Sequence, residues 1–315
     1  MNKSENKIAK SAMKAEFSAK MGSPVLKDIK DERDLIFAPA KAGSVPIRFL
    51  NTNIAEIENQ SVTSSCVANA AVSSLEMMHR PLEPVNLSRL FVYYNLRKDY
   101  YYLDGKDEGS YTRDAYKYIN KLGVCDESHW PFINAEVNTK PSDEAYELAM
   151  SKKVLTYQRI YKYIDDVKRA ILNQQGIIMS MNLGENFYYI RGPLAEQDYG
   201  SVNASNPSIG GHAMSIVGYD DELGGFIIEN SWGPYWGDGG LFLLKYDVFF
   251  ADVMDIWTAT SIDFGYNIPE VVEPEPEVVE PEPEIEPEPK RIHPFFDWLC
   301  KILNIIKYCD KHSTN

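Results

Sequence analysis

Residues 269–290 are dominated by glutamate and proline, and this tract decides where a fold can and cannot form. It carries nine glutamates against one lysine, and residues 270–276 repeat residue for residue as 277–283. Proline lacks the backbone donor that helices and sheets need, and the glutamates repel one another, so the tract is an extended spacer without a core. Twenty residues of this kind reach about 60 Å. A globular body must therefore form before residue 268, and whatever follows residue 290 is tethered at a distance. The tract also relocates the charge. Of the net charge of −14, the spacer supplies −8 and the rest of the chain about −6, which argues against nucleic-acid binding.

Five segments follow from this division: a basic N-terminal arm and lead-in (1–44), a mainly helical part (45–160), a strand-rich part (161–267), the Glu-Pro linker (268–290) and a C-terminal amphipathic helix (291–315). In the last, Ile292, Phe295, Phe296, Leu299, Ile302, Leu303 and Ile306 recur at helical spacing, with Lys301 and Lys307 off that face. This predicts docking to a membrane surface or a protein partner. In the arm, Ile8, Met13 and Phe17 share one side. No run of about 18 apolar residues is present, so no spanning helix is expected. The four cysteines (Cys66, Cys125, Cys300, Cys309) lack zinc-site spacing. A reducing, intracellular location is expected, or a virus particle if the chain is viral, and a monomer without cofactor or metal.

Within the body, the apolar pattern from Cys66 to Met78 is helical and ends before Pro81; Leu87–Arg97 and Ala115–Lys121 are further helices, the latter stopped by Gly123. Asp165–Asn173 is one more. Strand patterns then take over at 176–181, 213–219, 225–229 and 241–245. Helices followed by strands indicate α+β architecture with segregated halves.

The chemistry centres on Cys66, the one cysteine at the start of a helix, where the positive end of the backbone dipole favours thiolate. A thiolate nucleophile needs a base and an orienter for that base. Of the five histidines, His212 has a suitable setting: two glycines precede it and it opens a strand. Asn230 ends the next strand, so a hairpin can bring its amide to the His212 ring, with Trp232 two residues on to shield the contact.

Gln60, Cys66, His212 and Asn230, in this order, resemble the papain-like cysteine peptidases. The resemblance covers roughly residues 45–265 and rests on Gln60, Cys66, the run Gly210-Gly211-His212-Ala213, and the stretches Asn230-Ser231-Trp232-Gly233 and Trp236-Gly237-Asp238-Gly239-Gly240. It implies a two-lobe fold, with a helical left lobe, a strand-rich, barrel-like right lobe and the active site between them. It further implies peptide-bond hydrolysis of a polypeptide by a Cys66 thiolate paired with a His212 imidazolium, an oxyanion site made by Gln60 and the Cys66 N–H, and substrate contacts at Gly109, Trp232, Ala213 and Met181.

The departures are local. Thr63 stands where the family usually has a disulfide cysteine, Ser64 where it has glycine and Val67 where it has tryptophan. About 45 residues precede the lobe, too few for the family's long inhibitory prosegment, as in short-fronted bacterial and viral variants. Two other readings stand beside the peptidase: a catalytically silent binding protein with the same fold, and a Cys-His acyltransferase in which Asp220 or Asp221 orients the histidine. The stretch 191–209 before His212 is a candidate gate of the cleft.

Overall fold

Five helices belong to the first half of the chain in the computed structural model, which describes residues 3–18, 25–39, 43–98 and 107–265. They are α1 (Lys3–Ser18), α2 (Cys66–His79), α3 (Arg89–Lys98), α4 (Thr112–Leu122) and α5 (Asp143–Ala149). The linker and the amphipathic segment 291–315 lie outside the described residues. Helix α2 is buried on almost every side. Its small residues Ala68, Ala70 and Ala71 let it sit between α3, α4 and the sheet, the position expected of a helix apolar all round. Its first turn is fixed by Asn69, whose side-chain N–H groups reach the carbonyl (3.0 Å) and hydroxyl (2.8 Å) of Ser65. Helix α3 is capped by Ser88, whose hydroxyl accepts from the Phe91 N–H at 3.1 Å. Helix α4 stops at Gly123, where φ is +78° and a Cβ would stand 1.7 Å from the Ala149 carbonyl oxygen, so only glycine fits.

Seven strands make one antiparallel sheet: β1 (Arg48–Leu50), β2 (Lys153–Arg159), β3 (Gly176–Gly184), β4 (Ser208–Asp220), β5 (Gly225–Glu229), β6 (Leu241–Lys245) and β7 (Val253–Asp263). Their order is β2-β7-β3-β4-β5-β6, with β1 paired to the far end of β4. The expected strands 225–229 and 241–245 match β5 and β6, whereas β2 and β7 were not read from the sequence. The barrel-like form is corrected: the sheet is open, because β2 and β6 lie on opposite edges without pairing to each other. Both edges are covered instead. Gln197 satisfies β6 at Leu243 N–H (2.9 Å), and residues 35–37 bond to the Arg159 end of β2 (2.8 and 2.9 Å).

The sheet separates two cores. One face of β3 and β4 (Ile178, Ala213) packs with α2, α3 and α4; the other (Met179, Met181, Met214, Ile216) packs with α6 (Ile164–Leu172), α7 (Tyr246–Asp252), Trp232 and Trp236. Ser215, on the first face, donates its hydroxyl to the Ala70 carbonyl of α2 at 2.8 Å, which pins the middle of β4 beside the first half of α2. Among the described residues no helix is long and apolar enough to cross a membrane.

Candidate active site

The packing of α2 on β4 sets Cys66 against the backbone just beyond His212: the Ala213 N–H is directed at the Cys66 sulfur, as are the N–H groups of Val67 and Cys66 itself at the helix start. On β4, His212 is wholly enclosed. Its Nε2 lies 2.8 Å from Asn230 Oδ1, and its Nδ1 has no hydrogen-bond partner among the described residues. The Asn230 oxygen can only accept, and it also accepts from the Ser231 N–H at 2.9 Å. Nε2 must therefore carry the proton, which leaves the Nδ1 lone pair as the base. Trp232 covers the ring at 5.4 Å between centroids and Phe187 stands edge-on at 6.1 Å, so water is kept from the His212–Asn230 bond.

Gln60 is tied to the Asn230 loop by the chain on both sides. Its N–H donates to the Ser231 carbonyl (2.8 Å), the Gly233 N–H donates to the Glu58 carbonyl (2.9 Å), and Asn59 bridges Trp232. Its side-chain oxygen accepts from the Ser231 hydroxyl at 2.7 Å and its amide N–H reaches the Thr63 carbonyl at 3.0 Å. Ser231 is thus a residue the sequence reasoning passed over: it sets which way the Gln60 amide faces, a role visible only from the contact.

The candidate substrate residues fall in different places. Ala213 sits in the core that contains Cys66, and Trp232 stands over His212. Gly109 is buried in the loop 107–111, where the Tyr93 hydroxyl donates to the Glu108 carbonyl at 3.0 Å and Asp107 accepts from the Ser64 N–H at 2.9 Å. Met181 faces His212 in register from β3, within the opposite core that holds Met179 and Phe187. Asp220 is turned away from the histidine, its carboxylate accepting from the Glu222 and Leu223 N–H groups; Asp221 bonds to Lys168 and Tyr246. Among the described residues no group of His, Cys, Asp or Glu could hold a metal ion.

The front of the chain covers this arrangement. Phe17, at the end of α1, is 1% exposed; it stacks on Trp232 at 5.5 Å and 9°, with the Arg191 guanidinium over its ring at 5.0 Å. Met13 packs beside it, and Lys14 pairs with Glu185. Further on, the Val25 N–H donates to the Gly211 carbonyl (3.2 Å), next to His212, while Val25 joins the core around Cys66. Leu26 then bridges Tyr111. A Cβ on Gly211 would lie 2.5 Å from the Val25 carbonyl oxygen, so this glycine is what admits the strap. The apolar face of the arm needs burial, and the aromatic floor beside His212 supplies it.

Enclosure sets the protonation state. Burial pushes the Cys66 thiol up to about 11 against the pull of the three N–H groups, and lowers His212 to about 4 although Asn230 pulls it up. Both shifts favour the neutral form, so the covered pair rests as thiol and imidazole between about pH 4 and 11. The thiolate expected from the helix dipole is overridden here by desolvation. Alkylation of Cys66 in the full chain is expected to rise about tenfold per pH unit between pH 7 and 10, as thiolate becomes available. Iodoacetamide labelling followed by mass spectrometry checks this; a rate that is flat across that range would contradict it.

Comparison with known proteins places this geometry in a family. The model of the papain family cysteine protease matches residues 43–254, two thirds of the chain. An uncharacterized peptidase-like protein of Acanthamoeba polyphaga mimivirus is 37% identical over 210 residues, covering 61% of this chain and 65% of the relative, so this chain spans less than two thirds of that protein. Among solved structures, xylellain, a cysteine protease from Xylella fastidiosa, aligns with a TM-score of 0.68 and 29% identity over 77% of this chain and 97% of its own. Procathepsin B of Trypanosoma congolense shares the fold at a TM-score of 0.62 and 15% identity, over 80% and 89% of the two chains. The helix that starts at Cys66, the strand that carries His212 and the loop that holds Asn230 all lie within the matched residues, and the chain belongs to the papain family of cysteine proteases.

Proposed function

We propose that the chain is a cysteine endopeptidase that hydrolyses polypeptides through Cys66, His212 and Asn230, and that it is held closed by Phe17 and by the strap formed by residues 25–28. The observation that carries the reading is the His212 ring, fixed through Nε2 by Asn230 and offering a buried, unpaired Nδ1 next to the strand position that meets the Cys66 sulfur. Once the strap leaves, water enters the cleft, the desolvation that raises Cys66 and lowers His212 is relieved, and proton transfer from Sγ to Nδ1 gives thiolate and imidazolium. The thiolate attacks the scissile carbonyl carbon. Gln60 and the Cys66 N–H stabilise the oxyanion, a contribution of about 3 kcal/mol per donor. Collapse breaks the C–N bond, the amine takes the proton from the imidazolium, and water then releases the thioester as the acid.

The acyltransferase version with an aspartate orienter is disfavoured by the bonds that Asp220 and Asp221 make elsewhere. Asn230→Ala is expected to lower kcat/KM by about 30-fold through a mispositioned ring, whereas Asp220→Ala leaves it unchanged. A fluorogenic peptide assay on the two variants decides, and the reverse pattern would restore the aspartate version. Labelling by a thiol-reactive epoxide at Cys66 separates the enzyme from a silent binding protein. The amphipathic segment 291–315 remains a proposed docking element for a membrane surface or a protein.

A further inference from the structure

Asp28 is the one acidic side chain of the strap that is wholly taken into the body, and the hole that holds it is built for a carboxylate. Its oxygens accept from the Trp257 indole N–H at 2.7 Å, the Thr112 hydroxyl at 2.9 Å and the Arg113 backbone N–H at 3.3 Å. The donors come from β7 and from the first turn of α4, and Thr112 and Trp257 are fully enclosed. The Asp28 N–H donates in turn to Asp255 Oδ2 at 2.7 Å. Two cations frame the hole. Arg159 pairs with Asp255 at 2.7 Å and with Asp34 at 3.3 Å, and Arg113 pairs with Asp34 at 3.1 Å.

None of these donors serves Cys66, His212 or Asn230. They are satisfied by the strap alone, so its departure leaves an indole N–H and a hydroxyl in an apolar wall without their acceptor. The strap connects the hole to the surroundings of His212: Leu26, between Val25 and Asp28, bridges Tyr111. Asp28 is three residues from Val25, whose N–H meets the carbonyl preceding His212, and three extended residues span at most about 10 Å. A cavity of about 430 Å³ lies beside it, between Lys27, Asp28 and Asp34 of the N-terminal segment and Arg159, Met254 and Asp255 of the body.

We propose that this hole is the subsite for an acidic residue of the polypeptide substrate, with Thr112, Trp257 and the Arg113 N–H as its donors, and that Asp28 occupies it as an internal stand-in. The proposal rests on the peptidase reading. Burial, and then Asp255, push the Asp28 carboxyl up to about 6, while the Trp257 and Thr112 bonds pull it down, so at neutral pH a carboxylate is held with both oxygens accepting. An amide of the same shape turns an NH2 group toward one of those donors, which is the basis of discrimination.

The test uses the full chain carrying Asp28→Ala, which empties the hole, and a positional fluorogenic peptide library. At one position on one side of the scissile bond, Asp or Glu is expected to exceed Asn or Gln by about tenfold in kcat/KM. Adding Thr112→Val should bring that ratio close to one, and Thr112→Ser should restore it. Cleavage with no acidic preference, or with a preference that Thr112→Val does not move, overturns the subsite. If no peptide is cleaved, the peptidase reading fails, and the hole is then read by calorimetry on the same Asp28→Ala chain with the peptides Val-Leu-Lys-Asp and Val-Leu-Lys-Asn. At least tenfold tighter binding of the acid supports the subsite, and equal affinities refute it.

Discussion

Cys66→Ala is expected to lower kcat for peptide hydrolysis by about 10⁶-fold while the melting temperature stays within a few degrees of the parent. The first effect follows from the loss of the nucleophile, for which no neighbouring side chain can substitute. In a related chemistry, removal of one member of the catalytic unit costs about as much as removal of all of them. The second follows from the site: Cys66 is buried at the first position of α2, and alanine fits the space and keeps the helix. His212→Ala should match the loss of activity but also lower stability by about 2–3 kcal/mol. It empties a ring-sized space against Trp232 and Phe187 and takes one donor from Asn230 Oδ1. The double variant should be no less active than either single one. Initial rates with thermal unfolding curves check all three, and hydrolysis by Cys66→Ala at more than 1% of the parent rate would remove Cys66 from the mechanism.

Phe17→Ala should act in the opposite direction and raise kcat/KM by about 10²-fold. The Phe17 ring is sandwiched between Trp232 and the Arg191 guanidinium and is 1% exposed. Truncation of such a buried ring costs about 3–5 kcal/mol, and a shift of about 3 kcal/mol between covered and uncovered forms corresponds to roughly 10²-fold in the open population. The labelling rate of Cys66 at pH 7 should rise with it, because the uncovered thiol is no longer desolvated. Lys14→Ala is the control. Its pair with Glu185 is exposed on both sides and should change the rates by less than about threefold. An unchanged Cys66 labelling rate in Phe17→Ala would mean that the strap does not control access.

Much of this site was legible in the residues. A helix beginning at Cys66, a strand beginning near His212 and a tight turn after Asn230 are local patterns, set by side-chain period and by glycine placement, and the strands 225–229 and 241–245 match β5 and β6 for the same reason. β2 and β7 were missed because their sequences carry polar and charged residues where a strand core should be apolar. Asp255, inside β7, is tolerable only because Arg159 of β2 pairs with it across the sheet, and that compensation is invisible until the two strands are side by side. The contact that the N-terminal arm makes was hidden for a similar reason. The sequence placed Phe17 on an apolar face, but not against the Trp232 ring on which it stacks.

The sequence by itself determined the local elements around Cys66 and singled out the four residues of the proposed chemistry, because helix starts, strand periods and side-chain chemistry are properties of neighbouring residues. Only the tertiary structure decided that the sheet stays open, that Phe17 and residues 25–28 cover the surroundings of His212, that Cys66 and His212 rest as a neutral pair, and that Asp28 fills a hole of three donors. Each of these depends on which distant groups exclude water from one another, and desolvation is a property of the packed whole.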